Sequence, residues 1–373
     1  MNTLSFLIKP ASGLCNMRCG YCFYADEIAA RKFGNTDIMS FDTVDILISE
    51  AFSSLGSQGR VSFAFQGGEP TLAGLSYFRY FVSKVSSINK GRIPVSYAIQ
   101  TNGLTIDEEW ADFFLENNFL VGISLDGEKA IHDSLRHDAA GKGTWNRIIK
   151  NLTLLQKKQV EVNLLCVVSR LCAKHPVKVY RSLQKLGVQY LQFIPCLDPI
   201  ATQRGSMPYS LTPALYGDFL CALFDEWYRD FLNGTYISIR LFDDYIHLIM
   251  GLPPNTCSTA GTCGTYFVVE NDGTLYPCDF YCLDQWKLGK LGDAPLTEIA
   301  NGKVAQAFLR DSLNHPPECT SCSWSKLCHG GCKRDWDWED GKAFNYYCSA
   351  FRKFFGYAAP RMVQLARNQQ CGL

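Results

Sequence analysis

The chain has 373 residues, a formal net charge of zero and 47% hydrophobic residues. That length exceeds one average domain and allows a large core, while a balanced charge leaves no electrostatic footprint for nucleic acid. Seventeen cysteines, with no basic and then apolar start after Met1, argue against a disulfide-stapled secreted protein and for a reducing, cytoplasmic and anoxic setting. No apolar run reaches the length of a membrane-spanning helix, so no membrane partner is expected.

The first apolar run, Leu4–Ile8, reads as a strand. Directly after it comes Cys15-Asn-Met-Arg-Cys19-Gly-Tyr-Cys22, three thiols in one short loop spaced CxxxCxxC. An iron–sulfur cubane normally takes four cysteines, so three would leave one iron open to a small molecule. A zinc site lacking its fourth ligand, or part of a disulfide framework, would also use clustered cysteines. No histidine stands near this loop, however, and an aromatic residue, Tyr21, precedes Cys22.

Further apolar runs follow at Val61–Phe65, Val95–Ile99, Leu120–Leu125, Val160–Val168 and Tyr190–Ile194. Between them lie amphipathic stretches at Phe41–Phe52, Tyr77–Ile88, Glu108–Leu115, Trp145–Gln156 and Val177–Leu186, and a helix over Pro213–Leu232 closes the set. This alternation predicts βαβ units and a parallel sheet, as a doubly wound sheet or an incomplete barrel. Parallel α/β folds bind ligands at the carboxyl ends of their strands. The cysteine loop, Gln66-Gly67-Gly68-Glu69-Pro70 and Gln100-Thr101-Asn102-Gly103 all stand at such ends. The two glycines permit close approach of a ligand to the backbone, although a lone string of this kind could be a plain turn. Ser124 could be a simple strand-end hydroxyl, and Arg136 a solvated arginine.

After Leu252-Pro253-Pro254 helical periodicity fades and turns and cysteines accumulate. Ile237–Leu241 is read as a possible strand just before this change. A hairpin is legible from Tyr266–Glu270 through Asn271-Asp272-Gly273 to Thr274–Pro277. From Cys263 the spacing is C-x9-G-x4-C, ending at Cys278; from Cys319 it is C-x2-C-x5-C-x3-C-x15-C, ending at Cys348. Cys319, Cys322, Cys328 and Cys332 alone could form a zinc ribbon. With Cys257, Cys263, Cys278 and Cys348 there are eight cysteines, enough for two four-cysteine clusters. Cys282 is read as a packed or free thiol, and Cys166, Cys172, Cys196, Cys221 and Cys371 as ordinary thiols. A last amphipathic helix spans Ser349–Arg367.

The cysteine loop resembles that of the radical S-adenosylmethionine (SAM) enzymes, and the C-terminal set resembles their SPASM extension. Nearly the whole chain, including Tyr276-Pro277-Cys278-Asp279-Phe280-Tyr281, is similar to the anaerobic sulfatase-maturating enzymes. The resemblance implies an α/β fold: a partial (β/α)6 TIM-type barrel at 1–233, a connecting segment at 234–255, and a cysteine-rich SPASM domain with a C-terminal helix at 256–373. It implies three 4Fe–4S clusters, held by Cys15, Cys19 and Cys22; by Cys257, Cys263, Cys278 and Cys332; and by Cys319, Cys322, Cys328 and Cys348. The interleaving of Cys332 into the second set is a consequence of the resemblance and not of spacing.

The same resemblance implies SAM contacts at Tyr21, Gly68, Ser124, Arg136 and Leu197. It makes Asp279 the catalytic base, where the residues alone would equally allow a turn cap, and Tyr24 and Gln66 candidate substrate contacts. The implied reaction converts a cysteine or serine of an unfolded sulfatase, in a Cys/Ser-x-Pro-x-Arg-type sequence, to Cα-formylglycine through a 5′-deoxyadenosyl radical. Electrons would come from an external donor of flavodoxin or ferredoxin type. The alternative is a maturase that forms thioether or carbon–carbon crosslinks in a ribosomal natural-product precursor. Such enzymes often carry an extra N-terminal leader-binding domain, and a first strand starting almost at Met1 favours the sulfatase reading.

Overall fold

The computed structural model describes residues 1–32, 37–90, 93–264 and 266–370; Cys371 lies outside them. In chain order the strands are β1 (Thr3–Lys9), β2 (Arg60–Phe65), β3 (Val95–Thr101), β4 (Phe119–Ser124), β5 (Val162–Val168), β6 (Tyr190–Pro195), β7 (Ser238–Ile239), β8 (Phe267–Glu270), β9 (Thr274–Tyr276), β10 (Gly289–Lys290), β11 (Trp336–Glu339) and β12 (Lys342–Asn345). The chain divides into two compact units that interleave along the sequence. One comprises Met1–Leu125, His132–Asn163 and Thr265–Phe308; the other Asp126–Ile131, Leu164–Gly264 and Leu309–Leu373.

In the first unit the sheet order is β10-β9-β8-β1-β2-β3-β4. β1 to β4 are parallel, with Ile8 opposite Phe65 and Phe65 opposite Ile99. Alternation writes this sheet: Leu4, Phe6 and Ile8 on β1, and Val61, Phe63 and Phe65 on β2, are all buried. Their rings meet those of the covering helices, Phe63 on Phe81 at 5.1 Å and Phe65 on Phe78 at 4.9 Å between centroids. Each such pair adds about 0.5–1.5 kcal/mol beyond its buried area. Side chains cap two of this unit's helix starts. Ser40 accepts from the Thr43 N–H ahead of Phe41–Ser53, and Asp107 accepts from the Trp110 N–H ahead of Glu108–Glu116.

In the second unit β5, β6 and β7 are parallel, with Leu164 opposite Leu191 and Tyr190 opposite Ser238. The helices Pro213–Leu232, Arg240–Ile249 and Cys348–Gln370 pack through an aromatic core, with Phe242 against Phe224 at 5.4 Å and Phe354 at 5.6 Å.

The expected barrel strands and helices all form, with ends displaced by at most two residues. Three features differ from the sequence reading. Only Ser238–Ile239 of the expected strand Ile237–Leu241 is extended, and a helix, Arg240–Ile249, takes over, burying Phe242, Tyr245 and Ile246 on one face. The region after residue 252 holds the helices Leu296–Ala300 and Lys303–Asp311 among its turns. The hairpin β8–β9 is not a free-standing element: β8 adds in parallel to the edge of β1, with Ile8 opposite Val269.

Candidate active site

The loops after β1, β2 and β3 converge on the first cysteine motif. Gly68 donates its N–H to the Ser12 carbonyl and Glu69 donates to that of Leu14, each at 2.7 Å. A Cβ at Gly68 would lie 2.0 Å from the Leu14 oxygen, so this position needs glycine for backbone contact within the protein itself. Glu69 is fully buried. One of its carboxylate oxygens accepts from the Thr71 N–H and from the Thr71 and Thr101 hydroxyls, and the other from the Asn102 N–H at 2.7 Å. Burial pushes its pKa up from the usual glutamate range, and these donors oppose that rise. Glu69 therefore ties the third strand end to the second.

Cys15 and Cys19 are partly buried and Cys22 is exposed. Burial pushes the Cys15 thiol up to about 12. Nitrogen donors face two of the sulfurs: the Met17 N–H reaches Cys15 Sγ at 3.4 Å and Arg136 Nη1 lies 4.0 Å from Cys19 Sγ. The Arg136 guanidinium also stacks over the Tyr21 ring at 5.4 Å, so these two expected SAM contacts adjoin each other and the loop. Ser124 ends β4 and accepts from Gln100 Nε2 at 2.9 Å. Leu197 follows β6 in the second unit.

Asp279 is buried in a short 3-10 turn following β9, one residue after Cys278. Its Oδ1 pairs with Lys9 Nζ at 2.6 Å and its Oδ2 accepts from Gln66 Nε2 at 2.7 Å. Its own N–H donates to the Tyr266 hydroxyl at 3.0 Å. The Lys9 ammonium lies 3.4 Å over the Tyr24 ring. Burial opposes the charge on Lys9, but Asp279, together with Cys282, Tyr24 and Glu270, outweighs this and holds Lys9 well above the usual lysine range. Tyr24, buried, donates to Glu270 Oε1 at 2.7 Å, which Arg31 also meets at 2.9 Å, while Ser12 donates to Glu270 Oε2 at 2.9 Å. Lys9, Ser12, Arg31 and Glu270 escaped the sequence reading. Lys9 was legible in principle, as a cation inside an otherwise apolar strand, whereas Glu270 gains meaning only once β8 lies beside β1.

The second unit gathers seven of the remaining cysteines in two places. Cys319, Cys322, Cys328 and Cys348 line one cavity of about 250 Å3, walled by Trp324, Phe344, Phe351 and Phe355. A water molecule takes about 30 Å3 in the liquid, so four thiols around this space suit a multi-atom cluster better than a lone ion. Among the described residues, no three His, Cys, Asp or Glu side chains are gathered around a single-ion position. Cys257, Cys263 and Cys332 line a smaller cavity with Lys333 and Trp336, so the far-separated Cys332 does join that pair. Cys278 belongs to the first unit. Cys282 is fully buried against Val268 and Tyr276. Cys166 and Cys172 are buried, with sulfurs 3.8 Å apart, and Cys196 is buried as well.

Comparison with known proteins accords with this geometry. Residues 10–175 match the radical SAM superfamily and residues 257–323 an iron–sulfur cluster-binding domain. The chain is 44% identical to the cysteine-type anaerobic sulfatase-maturating enzyme of Clostridium novyi (strain NT) over 99% of its own length and 98% of that protein. It is 30% identical to the serine-type enzyme of Bacteroides thetaiotaomicron, over 98% and 93% respectively. The structure of anSMEcpe with bound AdoMet and Cp18Cys peptide superposes with a TM-score of 0.93 at 42% identity, covering 98% of this chain and 99% of that one. A cysteine loop at the end of β1, the splinted glycine turn beside it and the Cys278-Asp279 segment thus sit in a shared full-length frame, and the chain belongs to the anaerobic sulfatase-maturating enzymes of the radical SAM superfamily.

Proposed function

We propose that the protein oxidises a cysteine side chain in an unfolded sulfatase polypeptide to Cα-formylglycine. The higher identity to the cysteine-type relative favours cysteine over serine. The observation that carries the reading is the buried Asp279 carboxylate, fixed by Lys9 and Gln66 directly beside Cys278.

In this reading Cys15, Cys19 and Cys22 hold the SAM-binding cluster. Cys257, Cys263, Cys278 and Cys332 hold a second, and Cys319, Cys322, Cys328 and Cys348 a third. Tyr21, Gly68, Ser124, Arg136 and Leu197 bind SAM. When bound, these groups supply hydrogen abstraction from the substrate Cβ and an acceptor for the departing electron. The chain's own part is acid–base and positional. Asp279 Oδ2 takes one donor, Gln66, and Oδ1 is ion-paired with Lys9, so lone pairs remain on which the carboxylate can accept the substrate thiol proton without releasing either partner. The Tyr24 ring lies beneath Lys9 and its hydroxyl is held by Glu270, which keeps a rigid wall beside the base. Loss of two electrons and two protons leaves a thioaldehyde, and hydrolysis with release of hydrogen sulfide gives the aldehyde. A flavodoxin- or ferredoxin-type donor in the cytoplasm completes the scheme.

The test is incubation of anaerobically reconstituted enzyme with SAM, a reductant and peptides carrying Cys-x-Pro-x-Arg or Ser-x-Pro-x-Arg. Mass spectrometry should find a hydrazine-trappable aldehyde, formed faster from the cysteine peptide. SAM cleavage without aldehyde from either peptide would defeat the proposal.

A further inference from the structure

The Gln100-Thr101-Asn102-Gly103 turn holds an amide aimed at the cluster loop. Asn102 is buried. Its Oδ1 accepts the Leu104 N–H at 3.0 Å, which fixes the orientation of the amide and turns its NH2 the other way. That NH2 donates to Asn16 Oδ1 at 2.7 Å and faces Cys15 Sγ at 3.8 Å. The two amide hydrogens thus divide between holding the loop and meeting a sulfur. The Asn102 backbone is itself anchored, since its N–H donates to the buried Glu69 carboxylate. Glu69 faces Asn102, Thr71 and Thr101, so its place in the glycine turn is explained by what it holds and needs no ligand.

The geometry points to Asn102 as a positioning residue for the radical-generating cluster, its amide donating to the Cys15 sulfur and raising the reduction potential there. Hydrogen bonds to cluster sulfurs disperse the charge of the reduced state and so favour reduction. The Met17 N–H also meets Cys15 Sγ, but as a backbone donor it survives any side-chain change at position 102. The inference rests on Cys15 being a cluster ligand. In the wild-type protein, an electron paramagnetic resonance signal that changes on addition of SAM tests that assignment separately.

The experiment compares the wild type with Asn102→Ala and Asn102→Asp as anaerobically purified holoenzymes. It measures total iron and a redox titration of the SAM-responsive signal. Asn102→Asp is the decisive variant, because it keeps the backbone bond to Glu69 and the acceptor for Leu104 while placing an oxygen against the sulfur. Both variants should titrate at lower potential, with several-fold less reduced cluster at a fixed poise near the wild-type midpoint and a larger shift for aspartate. If the alanine protein does not fold, the aspartate protein decides alone. Selective loss of the SAM-responsive signal from the aspartate variant, with the remaining iron retained, counts against the proposal, because loss of the bond to Asn16 alone accounts for it. A wild-type potential in the aspartate variant overturns it, and reduces Asn102 to a brace for Asn16.

Discussion

Lys9 Nζ lies 2.6 Å from Asp279 Oδ1, with the lysine wholly enclosed and the aspartate nearly so. A cation inside β1 is thereby joined to an anion encountered 270 positions later. Removing one member of a buried ion pair strands the other, at a cost of about 3–5 kcal/mol.

Lys9→Met should therefore lower unfolding stability by that order. The double variant Lys9→Met/Asp279→Asn should recover much of the loss, since neither charge is then left alone. Denaturant unfolding of the four proteins checks this, and equal destabilisation of the single and double variants would refute it. Lys9 is held above its ordinary range, so its contribution is complete below the usual lysine pKa and falls only as pH climbs through the higher folded value. Changing buffer between pH 7 and 9 should leave the lysine's share unaltered.

Asp279→Asn is nearly isosteric and should leave SAM cleavage intact. Aldehyde yield should fall by about 10²–10⁴-fold, the usual worth of a general base. The ratio of aldehyde to methionine released is the measurement, and an unchanged ratio removes the assigned role.

Cys332→Ser tests the interleaved ligand set. It should cost about four of roughly twelve iron atoms per chain, the content of one cubane, while Cys282→Ser costs none. Iron analysis of the two proteins, purified side by side, distinguishes the ligand from the packed thiol.

Much of this was legible beforehand. The parallel strands and their helices follow from apolar alternation and spacing, which is why β1 to β6 appear where the pattern places them. Cys332 joining Cys257 and Cys263 was available only from resemblance, because spacing carries no information about which distant loops meet. The helix Arg240–Ile249 was missed because its start, Ser238-Ile239-Arg240-Leu241, alternates like a strand. The charged cluster of Lys9, Arg31 and Glu270 was hidden for a related reason. Side chains far apart in the chain become partners through sheet topology, here the parallel pairing of β8 with β1.

Gly68→Ala should disable the first cysteine loop selectively. The added methyl group meets the Leu14 carbonyl at 2.0 Å, where neither backbone can yield cheaply. Loss of the SAM-responsive cluster with retention of the remaining iron is the expected result, and full iron with normal SAM cleavage would contradict it.

The pairing of β8 with β1 also sets an order of events during synthesis. Phe6 faces Phe267 across that ladder, so the first strand to leave the ribosome keeps one edge open until more than two-thirds of the chain has followed. An unpaired edge invites wrong partners. It also leaves Lys9 without its counter-charge until Asp279 arrives. The nascent protein can thus present its first cysteine motif early, but the wall of Lys9, Tyr24 and Asp279 beside it is assembled only after about three-quarters of the chain has been made.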